Sequence, residues 1–542
     1  MRGLLIDVPI AETTAGETLR RGWQLSPELA LRPESFGALA YHFGTRRLSF
    51  LKSPQLVTVV RSLADHSTAL DACRAAGVAD GDLDRYGDAL RTLAGTGTIV
   101  PAPAAPAPAS SAAESVAPAP VAPVAATHPV PAAPSATPAK PTKAAAPAAG
   151  PSRLVERFEA GLAAPICLTW ELTYACNLAC VHCLSSSGRR DPGELTTAEC
   201  QAVIDELERL QVFYVNVGGG EPTIRSDFWE LLDYATEHHV GVKFSTNGTR
   251  ITPARAARLA SSDYVDVQIS LDGASREVND AVRGDGSYDS AISAMEHLAD
   301  AGFRGFKISV VVTRQNVSQL DDFSALADRF GAQLRITRLR PSGRGVDVWD
   351  DLHPTAAQQR ELYDWLLERG EKVLTGDSFF HLAGYGEPLP GLNLCGAGRV
   401  VCLIDPVGDV YACPFAIDDQ FRAGNVRAAG GFTSVWRDST LFTTLRQPAS
   451  GGACQQCSAY DGCRGGCMAA KFFTGLPLDG PDPECVKGHG EPLVAAGRHV
   501  PRSSVDHSVP VRLGRPVRVG QTVRPVRQCD ESPLAGIGVD GH

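Results

Sequence analysis

The sequence lacks long apolar runs and an excess of positive charge, and each absence excludes a class of protein. No run of about 18 apolar residues occurs, so no transmembrane helix is predicted. The formal net charge is −10, which argues against a protein that binds nucleic acid mainly through charge. The N-terminal residues carry only a short apolar patch broken by Asp7 and predict no signal peptide. We therefore expect a cytoplasmic protein with neither a membrane nor a nucleic acid as its partner.

Cysteine, in contrast, is abundant, with 15 residues in the chain of 542. Scattered core cysteines or a disulfide framework are alternative explanations. Because the cytosol keeps thiols reduced, clustered cysteines are more typical of metal binding. Eleven cysteines fall into two spaced groups. We interpret the other four as structural or incidental, and they are Cys73, Cys167, Cys200 and Cys529.

The first group lies within the stretch Thr173-Tyr-Ala-Cys-Asn-Leu-Ala-Cys-Val-His-Cys183. Its cysteines, Cys176, Cys180 and Cys183, have the spacing C-x3-C-x2-C. Three thiolates on one short loop can hold three irons of a cubane 4Fe–4S cluster and leave the fourth iron open. An open iron can bind a substrate or cosubstrate, so this spacing indicates chemistry as well as electron storage.

Composition and periodicity divide the chain into six predicted segments. They are a small domain, a Pro/Ala-rich linker, a barrel, a bridging helical region, a cysteine-rich domain and a basic tail, at 1–97, 98–152, 153–345, 346–390, 391–488 and 489–542. The linker is expected to act as a semi-rigid tether, with a plain spacer as the alternative. The tail is expected to be disordered, with a basic interaction arm as the alternative.

The small domain is predicted to be α+β and winged-helix-like. Residues 38–43 and 46–51 flank Gly44-Thr45 and indicate a hairpin. Ser53-Pro54 is typical of a helix start, and two further helical patterns follow. The hairpin could offer its edge to an extended peptide, which would add a strand through main-chain hydrogen bonds. Dimerisation and simple packing are the alternatives.

The segment 153–345 alternates strand and helix patterns six times, which predicts a parallel sheet curved like an incomplete TIM barrel. The fold class is therefore α/β, with a partial (β/α)6 barrel. The strands are predicted at Ile166–Trp170, Val212–Val217, Val242–Ser245, Val265–Ser270, Lys307–Val312 and Gln333–Leu339.

Polar motifs follow the first four of these strands. Active sites in such folds lie at the carboxyl ends of the strands. Each motif alone is common in turns, but their joint placement beside the cysteine loop predicts a site. After the cysteine loop of strand one come Gly219-Gly220-Glu221-Pro222, Ser245-Thr-Asn247-Gly248 and Ser270-Leu-Asp272-Gly273.

Eight further cysteines form the second group. Eight thiolates are enough for two fully ligated 4Fe–4S clusters. They are equally enough for two zinc sites of four cysteines each, and the spacing leaves both alternatives open. The group consists of Cys395, Cys402, Cys413, Cys454, Cys457, Cys463, Cys467 and Cys485.

The cysteine loop together with Gly-Gly-Glu-Pro resembles the radical S-adenosylmethionine (SAM) enzymes, in which the open iron binds SAM. The resemblance implies that Cys176, Cys180 and Cys183 ligate the SAM cluster. It also implies that Arg283 pairs with the SAM carboxylate, since a guanidinium matches a carboxylate bidentately; a surface ion pair is the alternative. The other implied SAM contacts are Gly219, Gly220, Glu221, Pro222, Ser245, Asn247 and Ser270.

The second cysteine group resembles the SPASM extension of radical SAM peptide maturases, with one extra cysteine. Some SPASM enzymes carry an Asp that acts as a base directly after the cysteine equivalent to Cys413, whereas Pro414 follows here. No catalytic proton acceptor is therefore assigned, and Asp405 and Asp409 are expected to serve turns. The resemblance implies an auxiliary cluster I on Cys395, Cys402, Cys413 and Cys467, and an auxiliary cluster II on Cys454, Cys457, Cys463 and Cys485.

Residues 164–187 and 213–222 resemble the mycofactocin maturases, and residues 31–44 resemble the separate peptide chaperone of that pathway. The resemblance implies a short precursor peptide ending in Val-Tyr as substrate. It implies oxidative decarboxylation of the tyrosine, then a carbon–carbon bond between valine and tyrosine. A low-potential donor such as ferredoxin or flavodoxin would supply electrons. Another SPASM peptide-modifying enzyme, or a non-catalytic iron–sulfur or zinc protein, is the alternative.

Overall fold

The computed structural model of the chain describes residues 13–45, 47–103, 161–303, 305–375, 379–386, 389, 395–447 and 452–490, without the side chains of Cys167 and Glu371. Most of the predicted linker and tail, with Cys529, lies outside these residues. The chain forms two compact units, Met1–Ser26 with Gln55–Ser152, and Pro27–Pro54 with Arg153–His542. The residues between 26 and 55 thus belong to the second unit, although they fall within the predicted small domain.

The N-terminal region contains short helices and strands. Thr14 and Thr68 cap two of the helices with their side chains, and Pro54 begins a third, as predicted. The elements are α1 (Ala15–Leu19), β1 (Trp23–Leu25), β2 (Leu29–Glu34), β3 (Gly37–His42), β4 (Arg47–Leu51), α2 (Pro54–Ser62), α3 (Ala69–Ala75), α4 (Leu83–Gly95) and β5 (Ile99–Pro101).

In the first unit, β1 pairs antiparallel with β5. The second unit contains the antiparallel sheet β2-β3-β4. The predicted hairpin is confirmed, because β3 and β4 pair from Ala38 with Leu51 to His42 with Arg47. The sequence analysis missed β2, which pairs along the other side of β3. We call these three strands the wing sheet.

A buried arginine fixes the wing sheet to the barrel within the second unit. The side chain of Arg32 is only 2% exposed. Its guanidinium donates to the backbone oxygens of Pro165 at 2.7 Å and Ala164 at 2.9 Å, and to the Glu34 carboxylate at 2.8 Å. Beside it, the rings of Tyr41 and Phe213 stack with their centroids 5.5 Å apart. A buried cation is tolerated only with such partners, so this contact holds the wing sheet in one position.

The barrel follows, and it confirms the predicted partial (β/α)6 architecture. Strands β9 and β10 have the predicted bounds, and the other four differ by at most three residues at an end. Helices α11 and α12 lie in the predicted bridging region. The elements are β6 (Cys167–Thr173), α5 (Thr197–Arg209), β7 (Tyr214–Gly219), α6 (Phe228–Glu237), β8 (Gly241–Thr246), α7 (Pro253–Ala260), β9 (Val265–Ser270), α8 (Arg276–Arg283), α9 (Ser287–Asp300), β10 (Lys307–Val312), α10 (Leu320–Phe330), β11 (Gln333–Arg338), α11 (Gly345–Leu352), α12 (Ala356–Arg369) and β12 (Val373–Leu374).

The cysteine-rich region extends the barrel sheet. Its first strand pairs parallel with β6, Leu403 opposite Thr169, so a ten-stranded sheet runs in the order β12-β11-β10-β9-β8-β7-β6-β13-β14-β15. Among the helices of the described residues, none has the length and apolar content that a membrane crossing requires. The elements are β13 (Leu403–Ile404), β14 (Asp409–Tyr411), β15 (Arg422–Asn425), α13 (Gly431–Asp438), α14 (Thr440–Arg446), α15 (Tyr460–Cys463) and α16 (Met468–Phe473).

We predict that Arg32→Met destabilises the second unit by about 3–5 kcal/mol, because it leaves buried Glu34 and the backbone oxygens of Pro165 and Ala164 without their cation. Urea unfolding followed by fluorescence measures the change. The matched control is Arg47→Met, since Arg47 lies exposed on the same sheet and its loss should cost under about 0.5 kcal/mol. Equal unfolding of the two variants would contradict the anchoring role of Arg32.

Candidate active site

The loop that carries Cys176, Cys180 and Cys183 runs from β6 to α5 with neither helix nor strand. Its base is closed by two backbone hydrogen bonds. Cys176 N donates to Gly188 O at 3.0 Å, and Gly188 N donates to Tyr174 O at 2.8 Å. The three cysteines therefore lie on a closed loop at the carboxyl end of the first barrel strand.

Arg344 binds this loop from the segment between β11 and α11. Its guanidinium donates to Cys180 O and to Ser187 O, both at 2.9 Å, and its backbone N donates to Cys183 O at 2.9 Å. These bonds are shorter than those that the loop itself makes to Cys180 O and Cys183 O, from Cys183 N and Ser186 N, both at 3.3 Å, so Arg344 strengthens the pairing of the loop's backbone oxygens. Arg344 was missed in the sequence, where it reads as an ordinary residue after Pro341-Ser-Gly.

The three thiols lie close enough to affect one another. Burial raises the pKa of Cys176 to about 12, and Cys180 and Cys183 contribute to the rise. Burial also raises the pKa of Cys180, although Arg283 opposes it. The free thiols of Cys176 and Cys180 are therefore protonated at neutral pH. The thiolate form would need a bound metal to stabilise it.

Two glycines let the end of β7 press against the cysteine loop. Gly219 has a φ of +97°, which favours glycine. A Cβ on Gly219 would lie 2.7 Å from Thr173 O, and one on Gly220 would lie 2.0 Å from Ala175 O. The backbone N of Gly220 donates to Thr173 O at 2.7 Å, and that of Glu221 to Ala175 O at 2.9 Å. Larger residues at the two glycines would push the second strand off the loop.

Glu221 ties three strand ends together. One carboxylate oxygen accepts from the hydroxyls of Thr223 at 2.5 Å and Thr246 at 2.9 Å, and the other accepts from Asn247 N at 2.8 Å. The Asn247 amide in turn donates to Asn177 of the cysteine loop at 2.9 Å. Glu221 and Asn247 thus shape the site, and their direct contact with SAM stays a prediction.

The remaining predicted SAM contacts lie along the same edge. Pro222 begins a short 3₁₀ helix after β7. The Ser245 hydroxyl accepts from the Gln268 amide at 2.9 Å, and Ser270 is the last residue of β9, half-buried. The structure therefore brings the predicted motifs to one edge of the sheet, and their contacts with SAM stay predictions.

Arg283 lies beside a buried carboxylate. Its Nε is 2.6 Å from Asp272 Oδ2, and His182 Nε2 is 2.9 Å from the same oxygen. Burial disfavours the charge on Asp272, but Arg283 and His182 outweigh it and hold the pKa of that carboxyl well below its usual range. Because the Arg283 side chain is only 11% exposed, it is not a surface ion pair. Its pairing with the SAM carboxylate stays a prediction.

A second acidic group was missed in the sequence. Glu171, on β6, is 3% exposed, and burial together with Asp405 raises its pKa to about 8. Burial likewise raises the pKa of Asp405 to about 6. Asp405 serves a turn, since Oδ1 accepts from Asp409 N at 2.8 Å, but Oδ2 also accepts from the Tyr174 hydroxyl at 3.0 Å. A charged residue within a buried strand was the signal that could have identified Glu171.

The downstream cysteines form two groups. The first surrounds a cavity of about 360 Å³, part of it open to solvent, which is lined by Cys454, Cys457, Cys463 and Cys485 together with His381 and Asp482. In the second, burial raises the pKa of Cys413 well above its usual value, and Cys395 and Cys467 contribute. The described interactions thus link three of the four ligands implied for cluster I. Cys402, the fourth, is fully buried.

Arg338, the last residue of β11, binds the segment of chain between Cys467 and Cys485. Its guanidinium donates to Asp482 Oδ2 at 2.9 Å and to Glu484. Asp482 Oδ2 also accepts from the backbone N of Cys467 at 2.7 Å. The three side chains are at most 4% exposed. The charge of Arg338, at the end of a barrel strand, therefore neutralises Asp482 and Glu484, which lie between Cys467 and Cys485 in the sequence.

The residues present fit the groups that the cysteine spacing implies. Within the described ranges, no three His, Cys, Asp or Glu side chains converge on a single metal ion; four thiols instead surround a cavity, as a cluster with one iron per thiolate requires. Near the cysteine loop, buried Glu171 Oε2, His182 Nδ1 and Gln268 Oε1 have no hydrogen-bond partner among the described residues. Such atoms are candidates to meet a polar ligand.

Comparison with known proteins identifies the class. Residues 170–327 match the radical SAM superfamily, residues 395–458 an iron–sulfur cluster-binding domain (SPASM), and residues 22–100 the peptide chaperone MftB family. The fold is similar to that of SuiB from Streptococcus suis bound to its precursor peptide SuiA, with a TM-score of 0.56 and 15% identity over 85% of this chain and 99% of that one. The chain is thus a radical SAM enzyme with a SPASM domain, and the part of the cysteine-rich region at residues 395–458 matches an iron–sulfur cluster-binding domain.

Two curated relatives define the family more narrowly. The mycofactocin maturase MftC of Mycobacterium tuberculosis is 71% identical over 385 residues, which are 70% of this chain and 98% of the relative. That of Mycolicibacterium smegmatis is 72% identical over 384 residues, with the same shares. The chain belongs to the mycofactocin maturase family, and it carries an additional N-terminal domain that matches the peptide chaperone family.

We predict that Arg338→Met destabilises the cysteine-rich region, because it leaves Asp482 and Glu484 buried without a cation, at a cost of about 3–5 kcal/mol. The reconstituted variant should contain less iron per chain than the wild type, measured by iron and sulfide analysis. The control is Arg329→Met, because Arg329 forms an exposed pair with Glu296, their side chains 60% and 47% exposed. Wild-type iron content in the Arg338 variant would contradict its role.

Proposed function

We propose that this protein matures a ribosomally made precursor peptide whose C-terminus is Val-Tyr. It oxidatively decarboxylates the tyrosine and then joins the valine and tyrosine through a carbon–carbon bond. The single observation that carries the proposal is the identity of about 70% across nearly the whole length of mycofactocin maturases.

The proposal assigns three 4Fe–4S clusters to the eleven clustered cysteines. Cys176, Cys180 and Cys183 hold the SAM cluster. SAM bound there would supply the radical chemistry that removes hydrogen from the peptide. The other eight cysteines hold the auxiliary clusters I and II, four cysteines each, in the two sets that the resemblance implies. The interleaving of these sets is supported by Cys467, whose thiol affects the pKa of Cys395 and Cys413 rather than joining the cavity of its sequence neighbours.

The protein's own side chains hold the cysteine loop and the neighbouring strand ends in place. Arg344, Asn247 and Glu221 bind the cysteine loop or the strand ends around it, so the loop keeps one geometry. Asp272 is fully buried and carries its charge because Arg283 and His182 surround it. A low-potential donor such as ferredoxin or flavodoxin supplies the electron that SAM cleavage needs, and the auxiliary cysteines hold the acceptor for the electron that decarboxylation releases.

Mass spectrometry tests the chemistry. A synthetic peptide ending in Val-Tyr is incubated with the reconstituted enzyme, SAM and reductant. We expect the peptide to lose a carboxyl group and a hydrogen, with formation of 5′-deoxyadenosine. The matched control is the same peptide with a C-terminal amide, which cannot lose the carboxyl group. The triple variant Cys176→Ala, Cys180→Ala, Cys183→Ala should form no 5′-deoxyadenosine.

Two results would contradict the assignment in different ways. SAM cleavage with no change in peptide mass would indicate another peptide substrate and a different SPASM reaction. No SAM cleavage by the reconstituted wild type would indicate a non-catalytic iron–sulfur protein.

We also propose that the N-terminal domain recognises the precursor peptide. Its match to a peptide chaperone family supports this, as does the presence of β-sheet edges that can accept an extended strand. SuiB, which has the same fold, has been crystallised with its precursor peptide. Because the curated relatives are matched over 98% of their length without this domain, the maturase part is expected to fold without it.

Deletion of residues 1–160 should therefore slow peptide processing at low peptide concentration and leave the iron content intact. Residues 1–103 supplied as a separate chain should restore part of the rate. Initial rates measured at several peptide concentrations give the result, with the separate Arg32→Met form of residues 1–103 as a control that should rescue less. An unchanged rate at low peptide concentration would rule out the recognition role.

A further inference from the structure

Three consecutive serines follow the last cysteine of the loop and have no role in the function described so far. Ser185 is 9% exposed and Ser187 is 1% exposed. Between them, Ser186 has a φ of +48°, a left-handed conformation that is uncommon for a residue other than glycine. This conformation places the hydroxyls of Ser185 and Ser187 on the same side, with their oxygens 2.8 Å apart.

The Ser185 hydroxyl reaches the cysteine loop. Its oxygen is 3.7 Å from the sulfur of Cys183, within the range of a hydrogen bond to sulfur, and 3.5 Å from the backbone oxygen of Gly219. The loop cannot easily move away, since Arg344 donates to Ser187 O and Cys183 O on either side. The distance between the hydroxyl and the sulfur is therefore built into the fold.

A serine hydroxyl has one hydrogen to donate, so its neighbours decide where that hydrogen points. Ser187 can donate as well as accept, and Gly219 O is at the edge of hydrogen-bond distance. Ser185 also shares a hydrogen bond with the carboxyl of Glu171, whose pKa burial and the nearby Asp405 raise to about 8. Once Cys183 is an iron-bound thiolate, it is a negatively charged acceptor 3.7 Å from the Ser185 hydroxyl oxygen, and charge-assisted hydrogen bonds are the stronger ones.

We propose that Ser185 is a positioning residue of the SAM cluster, whose hydroxyl donates a hydrogen bond to the thiolate of Cys183. Hydrogen bonds to cluster sulfurs help to set the reduction potential. Because reduction adds negative charge, a donor at Cys183 stabilises the reduced state more than the oxidised state and raises the potential. The proposal rests on the assignment of the SAM cluster to Cys176, Cys180 and Cys183.

The test is an anaerobic redox titration of the full-length reconstituted enzyme, monitored by electron paramagnetic resonance. The SAM cluster is the component whose spectrum changes when SAM is added. Ser185→Ala should shift its midpoint potential to a more negative value. Ser185→Thr keeps the hydroxyl and should have nearly the wild-type potential. Ser186→Gly, which leaves the Ser185 hydroxyl in place and suits the left-handed backbone, is the control and should also be unchanged.

If the Ser185→Ala variant does not assemble the cluster, the midpoint potentials of Ser185→Val and Ser185→Thr are compared instead. Their side chains have the same shape, and only threonine carries the hydroxyl. A second readout is the coupling of an exchangeable deuteron to the reduced cluster after exchange into D₂O, which should weaken in Ser185→Val and persist in Ser185→Thr. Equal potentials and equal deuteron coupling in the two variants would overturn the proposal and leave the proposed function standing. A wild type without a SAM-responsive cluster would overturn both.

Discussion

The structure depends on one constraint, which is that the cysteine loop has no regular structure and must find partners for its backbone elsewhere. A buried backbone oxygen or N–H without a partner is costly. The partners come from distant parts of the chain, because Arg344 binds Cys180 O and Ser187 O, and Val282 O accepts from Val181 N. The geometry of the cysteine loop therefore depends on residues that lie far from it in the sequence.

Each of the two cysteine regions has a buried aspartate that is paired with an arginine. Asp272 lies beside the first region and Asp482 beside the second, and both are at most 1% exposed. Each is paired with an arginine from another element, Arg283 or Arg338. Such pairs add little to stability compared with apolar packing, but they are costly to break, so they fix which elements lie together. Glu171 has no such arginine among its described partners, and its carboxyl stays mostly protonated at neutral pH instead.

The sequence was a good guide where the signal is local. Alternation of strand and helix patterns predicted the barrel strands to within three residues, and Ser53-Pro54 correctly predicted a helix that begins at Pro54. The sequence did not predict the role of a residue whose partner lies far away in the chain. Arg338 and Asp482 are 144 residues apart, and Arg32 is 133 residues from Pro165. Glu221 and Asn247 were predicted as site residues, but the spacing of the motifs could not predict their hydrogen bonds to one another and to the loop.

The assignment of the wing sheet to the second unit changes the role of the Pro/Ala-rich segment as a connection between the units. Residues 27–54 belong to the second unit, while the residues just before and just after them belong to the first. The chain therefore passes between the units twice, at 26/27 and at 54/55, before it enters the long segment. The Pro/Ala-rich segment is therefore not the only link between the N-terminal residues and the second unit. A protease that cut only between residues 104 and 160 would yield two fragments that stay associated through Arg32 and the aromatic contacts of the wing sheet.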